Sequence, residues 1–476
     1  MADGSHLRPE QRLRSGVIST RHLVFFVVAA AAPLTVLAGF APLAYMIGGE
    51  LTPLGYLIAG AVYLLFSVGF TTLSRYVKDA GAFSAYIRKG LGPTAGSGAA
   101  FLAYAAYTLG QIGFCAAAGL FASAALDKFL GVSLPWGLCA VLIGLGTGAL
   151  SYFQVNVGAR VLSVLLIAEI GILFVLAVAV LIKGTPNGLT VTAADPATWD
   201  AGTIGSLLVV SFLVYVGFEQ TAVYGEEVKN PRVTVPRATY ISVGLLTGIY
   251  TFMSWVILMA IGPANLPSLL ATGNLSTIVF DVNNQYLGGA MTVVMELLVV
   301  TSFLAGVLAL QNAGTRYLFS MSRQGLVHRK FARVNDRTGS PGAAAIFQTL
   351  LVVVAIAGFA VIGLDPYRQV VLWTNTPTIL AVLVLQIATS VSVIAYFRRE
   401  KHKESLWNRL IAPAVSIVTM AGALVLISTN LDLLTSLGSA GNLIMCSPLF
   451  VALIVGLIIG RKRAKSSPAV AQEINA

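Results

Sequence analysis

Apolar residues gather in long runs along this chain, and the polar residues fall between the runs rather than alternating within them. Twelve runs approach the roughly 20 residues that cross a bilayer as helix. They lie at about 22–48, 53–74, 97–126, 135–153, 157–182, 204–225, 238–262, 288–315, 342–363, 369–396, 409–428 and 440–460. This pattern predicts an all-α integral membrane protein with twelve transmembrane segments, numbered here in that order. Two runs are interrupted. Segment 1 holds Pro33 and Pro42 with Gly39 between them, and segment 6 holds Gly217 and Glu219 near its middle. A charge at that depth costs at least ~2.5–3.5 kcal/mol on insertion scales, so it is rarely carried without a use. Unwound backbone is tolerated there only where protein or a cavity lines it.

The polar intervals organise the rest. Residues 1–20 form a basic arm on the inner face, and 461–476 a tail on the same side. With both ends inside, 27 of the 30 Lys and Arg fall on inner segments, leaving Lys128, Lys183 and Arg368 outside. That asymmetry sets a cytoplasmic location for both termini. Residues 21–183 and 204–397 then form two units of five segments, joined by an outer linker at 184–203. Each unit opens on a broken segment. Because five is odd, the second unit enters from the opposite side, an inverted repeat of the kind that places a binding site at the two breaks. Segments 11 and 12 (398–460) have no counterpart and are expected at the periphery. The inner loop 74–93 reads as short and turn-rich, and 263–287 as an outer stretch able to hold a short surface helix.

Composition narrows the chemistry. At 57% hydrophobic and 10% charged residues, with mean hydropathy +0.84, the chain is built for lipid. The net charge of +11 is inner-face charge facing anionic lipid and does not point to nucleic acid. Cys115, Cys139 and Cys446 all sit in apolar runs and indicate neither a disulfide nor a metal site. The first run is too long and too late to be a cleaved signal peptide. No nucleophile–base pair stands out, so the reading is a non-enzymatic protein without an organic cofactor.

Three stretches carry a family resemblance. Tyr215-Val-Gly-Phe-Glu219, followed by Glu226-Glu-Val-Lys-Asn-Pro231 and Pro236-Arg-Ala238, is similar to the sixth-segment signature of the amino acid–polyamine–organocation superfamily of permeases. Asp79-Ala-Gly-Ala-Phe-Ser-Ala-Tyr86 resembles that superfamily's loop between segments 2 and 3, and Thr315–Gly325 resembles the end of its segment 8. The resemblance extends over about residues 20–460. It implies the five-plus-five inverted-repeat fold first seen in a leucine transporter, and secondary transport of an amino acid or related amine by alternating access. The chain departs from the family pattern in two places. Pro33-Leu-Thr-Val-Leu-Ala-Gly39 stands where Gly-Ser-Gly is common, and Leu213, beside Phe212, stands where many members have an occluding aromatic.

Candidate site residues follow. In segment 1, the stretch of Pro33, Leu34, Thr35, Val36, Leu37, Ala38 and Gly39 is expected to form a half-helix start whose backbone N–H groups after the proline suit a substrate carboxylate. In segment 6, Phe212, Leu213, Tyr215, Val216, Gly217 and Phe218 are expected to offer freed carbonyls to an ammonium group and aromatic walls around it. Glu219 can bind a cationic group, carry a proton or brace the unwound turn. Glu169 lies thirteen residues from Asn156 and fourteen from Lys183, at mid-depth in segment 5. Relatives often have a lysine at the comparable place, close to the sodium site of sodium-coupled members. A glutamate there can carry a proton, or bind sodium with Thr301 and Ser302, and its bland role is a buried acid held by Gln111 or Asn156. Proton coupling is the first expectation and sodium the second. A polyamine or other cationic amine, and exchange rather than uptake, remain alternatives. Glu296 reads as structural or vestibular. Glu226, Glu227, Lys229, Arg232 and Arg237 read as an inner elbow closed by ion pairs.

Overall fold

The protein, here a computed structural model, is described for residue 16 and for residues 18–77, 81–153, 159–225, 227–271, 275–335, 338–400 and 402–466. Most of the expected N-terminal arm, part of the C-terminal tail, Asp79, Asn156 and Glu226 lie outside the described residues. Among those described, every regular element is helical apart from one isolated bridge between Ile18 and Val228.

Segment 1 begins as α1 (Thr20–Ala31), with Ser19 accepting from the His22 amide as N-cap. The helix then stops at a single residue. Ala32 takes the left-handed conformation, φ 46° and ψ 67°, which costs an L-residue roughly 1–2 kcal/mol. The cause is Pro33, because the residue before a proline is pushed out of the right-handed helical region. Proline at the first helical position then starts a new helix, α2 (Pro33–Thr35). It runs through a π-helical turn, Val36–Phe40, into α3 (Ala41–Gly48). The expected break over Pro33–Gly39 is therefore corrected. Those residues are helical, and the break is one residue earlier.

α4 (Thr52–Ser74) follows. The inner loop after it is more ordered than its turn-rich composition predicts, since it contains α5 (Phe83–Leu91). Gly90 brings α5 against segment 10: a Cβ there would lie 2.5 Å from the Ser392 backbone. α6 (Pro93–Leu130), α7 (Trp136–Tyr152) and α8 (Ala159–Lys183) follow.

Segment 6 comprises α9 (Ala201–Leu213), a stretch of turns over 214–219, and the single turn α10 (Gln220–Val223). α11 (Pro231–Ile261) follows; α12 (Leu266–Ala271) and α13 (Ile278–Leu287) occupy the outer stretch where a surface helix was expected. Then come α14 (Gly289–Arg323), α15 (Gly342–Val361), α16 (Leu372–Arg399), α17 (Ala412–Thr429), the short α18 (Leu431–Thr435) and α19 (Gly438–Ser466). Helices α11 and α14 outrun their apolar stretches by about two turns, because the residues before Ala238 and after Thr315 include polar ones that are still helical.

Among the described residues nine helical stretches are long and apolar enough to cross a membrane; the first, Thr20–Ser74, contains both segment 1 and segment 2. Trp136–Tyr152 and Gly202–Leu213 are shorter apolar helices. Large apolar side chains stand exposed around the outside, such as Phe174 at 65%, Ile182 at 79% and Val361 at 86%. An apolar exterior of that extent is covered by lipid. Inside, α1 packs on α10 and α3 on α9, so the two broken segments lie side by side with their breaks adjacent.

Candidate functional site

Breaking a helix inside a membrane frees peptide groups that must find partners. Here the partners come from neighbouring helices. The freed Ala31 carbonyl accepts from the Tyr250 hydroxyl at 3.1 Å. The Phe212 carbonyl, at the end of α9, accepts from Tyr63 at 3.1 Å. The Gly39 carbonyl in the π-turn accepts from Tyr367. Sequence reasoning missed these tyrosines. Each stands in or beside an apolar run, and its pairing with a residue more than a hundred positions away leaves no local signal.

The freed amides meet carboxylates. At segment 6, Gly217 sits at φ 119°, a conformation open to glycine and strained for other residues. Its N–H donates to both Glu219 oxygens, at 3.2 and 3.0 Å. The Tyr107 hydroxyl donates to the same carboxylate at 2.5 Å, and Glu219 is fully buried. Glu219 thus closes a local loop around the unwound turn and fastens it to α6.

At segment 1, Pro33 has no N–H and the Val36 amide returns to Ala32, which leaves Leu34 and Thr35 as first-turn donors outside the helical ladder. Glu169, only 3% exposed, comes to this turn from α8. Its carboxylate accepts from the Ser302 hydroxyl at 2.8 Å. The Leu34 amide also faces it. Thr35 is fully buried, and its hydroxyl has no hydrogen-bond partner among the described residues.

The structure therefore gathers Leu34, Thr35, Glu169 and Ser302 at one break, and Gly217 and Glu219 at the other. It does not bring Thr301 to Glu169. That hydroxyl turns back to the Leu298 carbonyl at 2.9 Å, and the residue lines a separate apolar cavity of about 590 Å³ between α7, α8 and α14. Gln111 is not the partner of Glu169 either, because it is engaged by Gln311 and Gln348 at 2.7 and 2.8 Å. Phe212, Tyr215 and Phe218 pack round Tyr63, with ring centroids 5.3, 5.2 and 5.0 Å from it. They are buried in that cluster, whereas Leu213 and Val216 are only half-buried. Val36, Leu37, Ala38 and Gly39 are buried within the helical continuation of segment 1.

Ion pairs form near the helix ends. Glu296 holds Lys128 at 2.6 Å. At the elbow Glu227 holds Arg316 at 2.9 Å, and that guanidinium lies 4.4 Å from the centroid of the Tyr224 ring. Tyr224 stacks on Phe26, and Ile18 exchanges backbone hydrogen bonds with Glu227 and Lys229. Lys229, Arg232 and Arg237 are exposed and belong to no described ion pair. The elbow thus closes through Glu227 and backbone pairing, not through the whole set of charges read from the sequence.

Comparison with known proteins decides the family. A profile described as amino acid permease matches residues 18–469. The chain belongs to the amino acid permease family. It is a multi-pass membrane transporter rather than an enzyme. An uncharacterized transporter of Mycobacterium tuberculosis is 25% identical over 65% of this chain and 67% of its own length. An uncharacterized transporter of Legionella pneumophila is 31% identical, over 33% of this permease and 34% of the relative, so the chain spans about a third of that protein. The branched-chain amino acid permease of Lactococcus lactis is 27% identical over 42% of each chain, and cationic amino acid transporter 4 of Mus musculus is 30% identical over 30% of this chain and 22% of its own.

Proposed function

We propose that this permease is a secondary active transporter that moves an amino acid across the cytoplasmic membrane by alternating access. The observation carrying this reading is the pair of adjacent helix breaks, each with a fully or nearly buried carboxylate beside it. A rigid helix bundle has no use for two such faults. A bundle that must bind a zwitterion and then rock about it does. In this reading the segment 1 amides take the substrate carboxylate and the segment 6 carbonyls its ammonium. Glu169, with Ser302, carries the coupled proton, and Glu219 holds the site's shape. Twelve helices, two inverted units at 21–183 and 204–397 with α17 and α19 peripheral, and both termini inside complete the arrangement. Cysteines placed at Asp195 and Lys330, both exposed, test the orientation: the first labels from outside sealed cells and the second only after permeabilisation.

The functional test is uptake into proteoliposomes of a radiolabelled amino acid and polyamine panel, with proton and sodium gradients imposed separately. Accumulation of an amino acid under an inward proton gradient is expected. Accumulation that follows sodium at fixed pH, and weakens together in Glu169→Gln and Ser302→Ala, assigns the ion as sodium instead. One observation favours a second substrate class. Both acids at the breaks lack a described basic partner, which suits a cationic amino acid or amine, and one relative is named a cationic amino acid transporter.

A further inference from the structure

Glu169 stands beside the first turn whose amides an incoming substrate carboxylate would need, with the Leu34 amide facing it. It approaches the first turn of the Pro33–Gly48 helical run from another segment, so it can leave without unwinding that run. Its other partner is suited to such a departure. The Ser302 hydroxyl donates to the carboxylate now, and a hydroxyl can equally accept from a carboxylic acid after rotation. Thr35, in the same first turn, has a buried hydroxyl with no partner among the described residues, which marks a place where a further polar group is expected to dock. Glu219 offers a contrast, since it is held by its own segment and by Tyr107.

We propose that Glu169 is a tethered competitor for the substrate's carboxylate: an amino acid takes the segment 1 amides only as Glu169 leaves them in its protonated form. This rests on the transport reading above and adds the means of coupling. Two carboxylates cannot share the Leu34–Thr35 turn while both are charged, since like charges in a dry site repel strongly. The arriving carboxylate expels its rival, and the expelled carboxylate accepts one proton from the aqueous side to which the site is open. Glu169–COO⁻ and H⁺ become Glu169–COOH, with no other bond made or broken. The acid then donates to Ser302. When the substrate leaves on the opposite side, Glu169 releases the proton there and returns to the amides. One proton accompanies each amino acid.

The groups that face Glu169 do not supply an alternative proton site. From α11, Tyr250 is the titratable neighbour, and its hydroxyl is committed to Ala31. Glu296 on α14 is paired with Lys128, and Asp281 on α13 accepts from Thr277. Arg21 and His22, the charged or titratable residues of α1, stand at its far end, two turns or more from the break.

The test measures equilibrium binding to the full chain in detergent or nanodiscs between pH 5 and 8. Its probes are L-leucine and L-arginine, with isopentylamine and agmatine as the same molecules lacking the carboxylate. Uptake of one proton makes amino acid affinity fall about tenfold per pH unit above the point where Glu169 ionises. Glu169→Gln is expected to abolish that slope and to bind the amino acid more tightly than wild type at pH 8. Ser302→Ala should keep the slope but shift it along the pH axis. The two amines should show no such fall. An unchanged slope in Glu169→Gln, or amines that follow the amino acids, overturns the competition. If neither amino acid binds at any pH while an amine does, the amino acid reading itself fails, and the competition with it.

Discussion

The two helix breaks solve one problem in different ways. In segment 1 a single residue leaves the helix, because Pro33 forces Ala32 out of it, and the acid on the new helix start is borrowed from segment 5. In segment 6 six residues form turns, Gly217 adopts φ 119°, and the acid comes from two positions along the same stretch. A local acid can hold shape but cannot leave without losing it. A borrowed acid can leave. In the proposed mechanism this difference gives bracing to Glu219 and exchange to Glu169, a distinction that equal depth and equal chemistry conceal.

The largest expected effect is at the local break. Gly217→Val forces a β-branched residue to φ 119°, at a cost of order 1–3 kcal/mol or more, and substrate binding should fall about ten- to a hundredfold or beyond. Size-exclusion and thermal-shift profiles should show a folded protein, because the nearest atom to a new Cβ is 3.7 Å away. Ala32→Gly should instead bind normally and gain stability, since it relieves a left-handed alanine. Equal damage by both substitutions would erase the contrast between the breaks.

Glu219→Gln comes next. It replaces one of the two acceptor oxygens that hold the turn, each hydrogen bond being worth about 0.5–1.5 kcal/mol, and should impair both binding and exchange by about tenfold. Glu169→Gln sharpens the comparison, since counterflow exchange should persist while accumulation driven by a proton gradient is lost. Full accumulation by Glu169→Gln under a proton gradient alone would return Glu169 to a structural role. The smallest effect is at Thr301→Ala, where the hydroxyl only returns to its own helix. A change in transport beyond about twofold there would mean that the neighbouring cavity takes part.

Much of this was legible before any coordinates. Apart from the polar ends of α11 and α14, the apolar runs mark the long helices to within several residues, because in lipid the backbone has no alternative to helix. Gly217 and Glu219 marked the second break. The first was misplaced because Pro42 and Gly39 drew attention away from the residue that Pro33 controls. Both are absorbed in a helix, Pro42 within the first turn of α3 and Gly39 within a π-turn. Glu169 was visible as an isolated acid, but Ser302 as its partner rather than Thr301 required the helical phase of α14. The tyrosine partners were invisible, since nothing near Tyr250 in sequence records that Ala31 needs a donor.

Those tyrosines bear on how the chain is made. The Ala31 and Gly39 carbonyls find their donors 219 and 328 residues later, on Tyr250 and Tyr367. During synthesis segment 1 therefore enters the membrane with peptide groups that nothing yet synthesised satisfies in this way. It must wait near water or the insertion machinery until the second half emerges. A nascent chain halted before Tyr250 should be a poor membrane resident and an early target for proteolysis, however apolar its first five segments are.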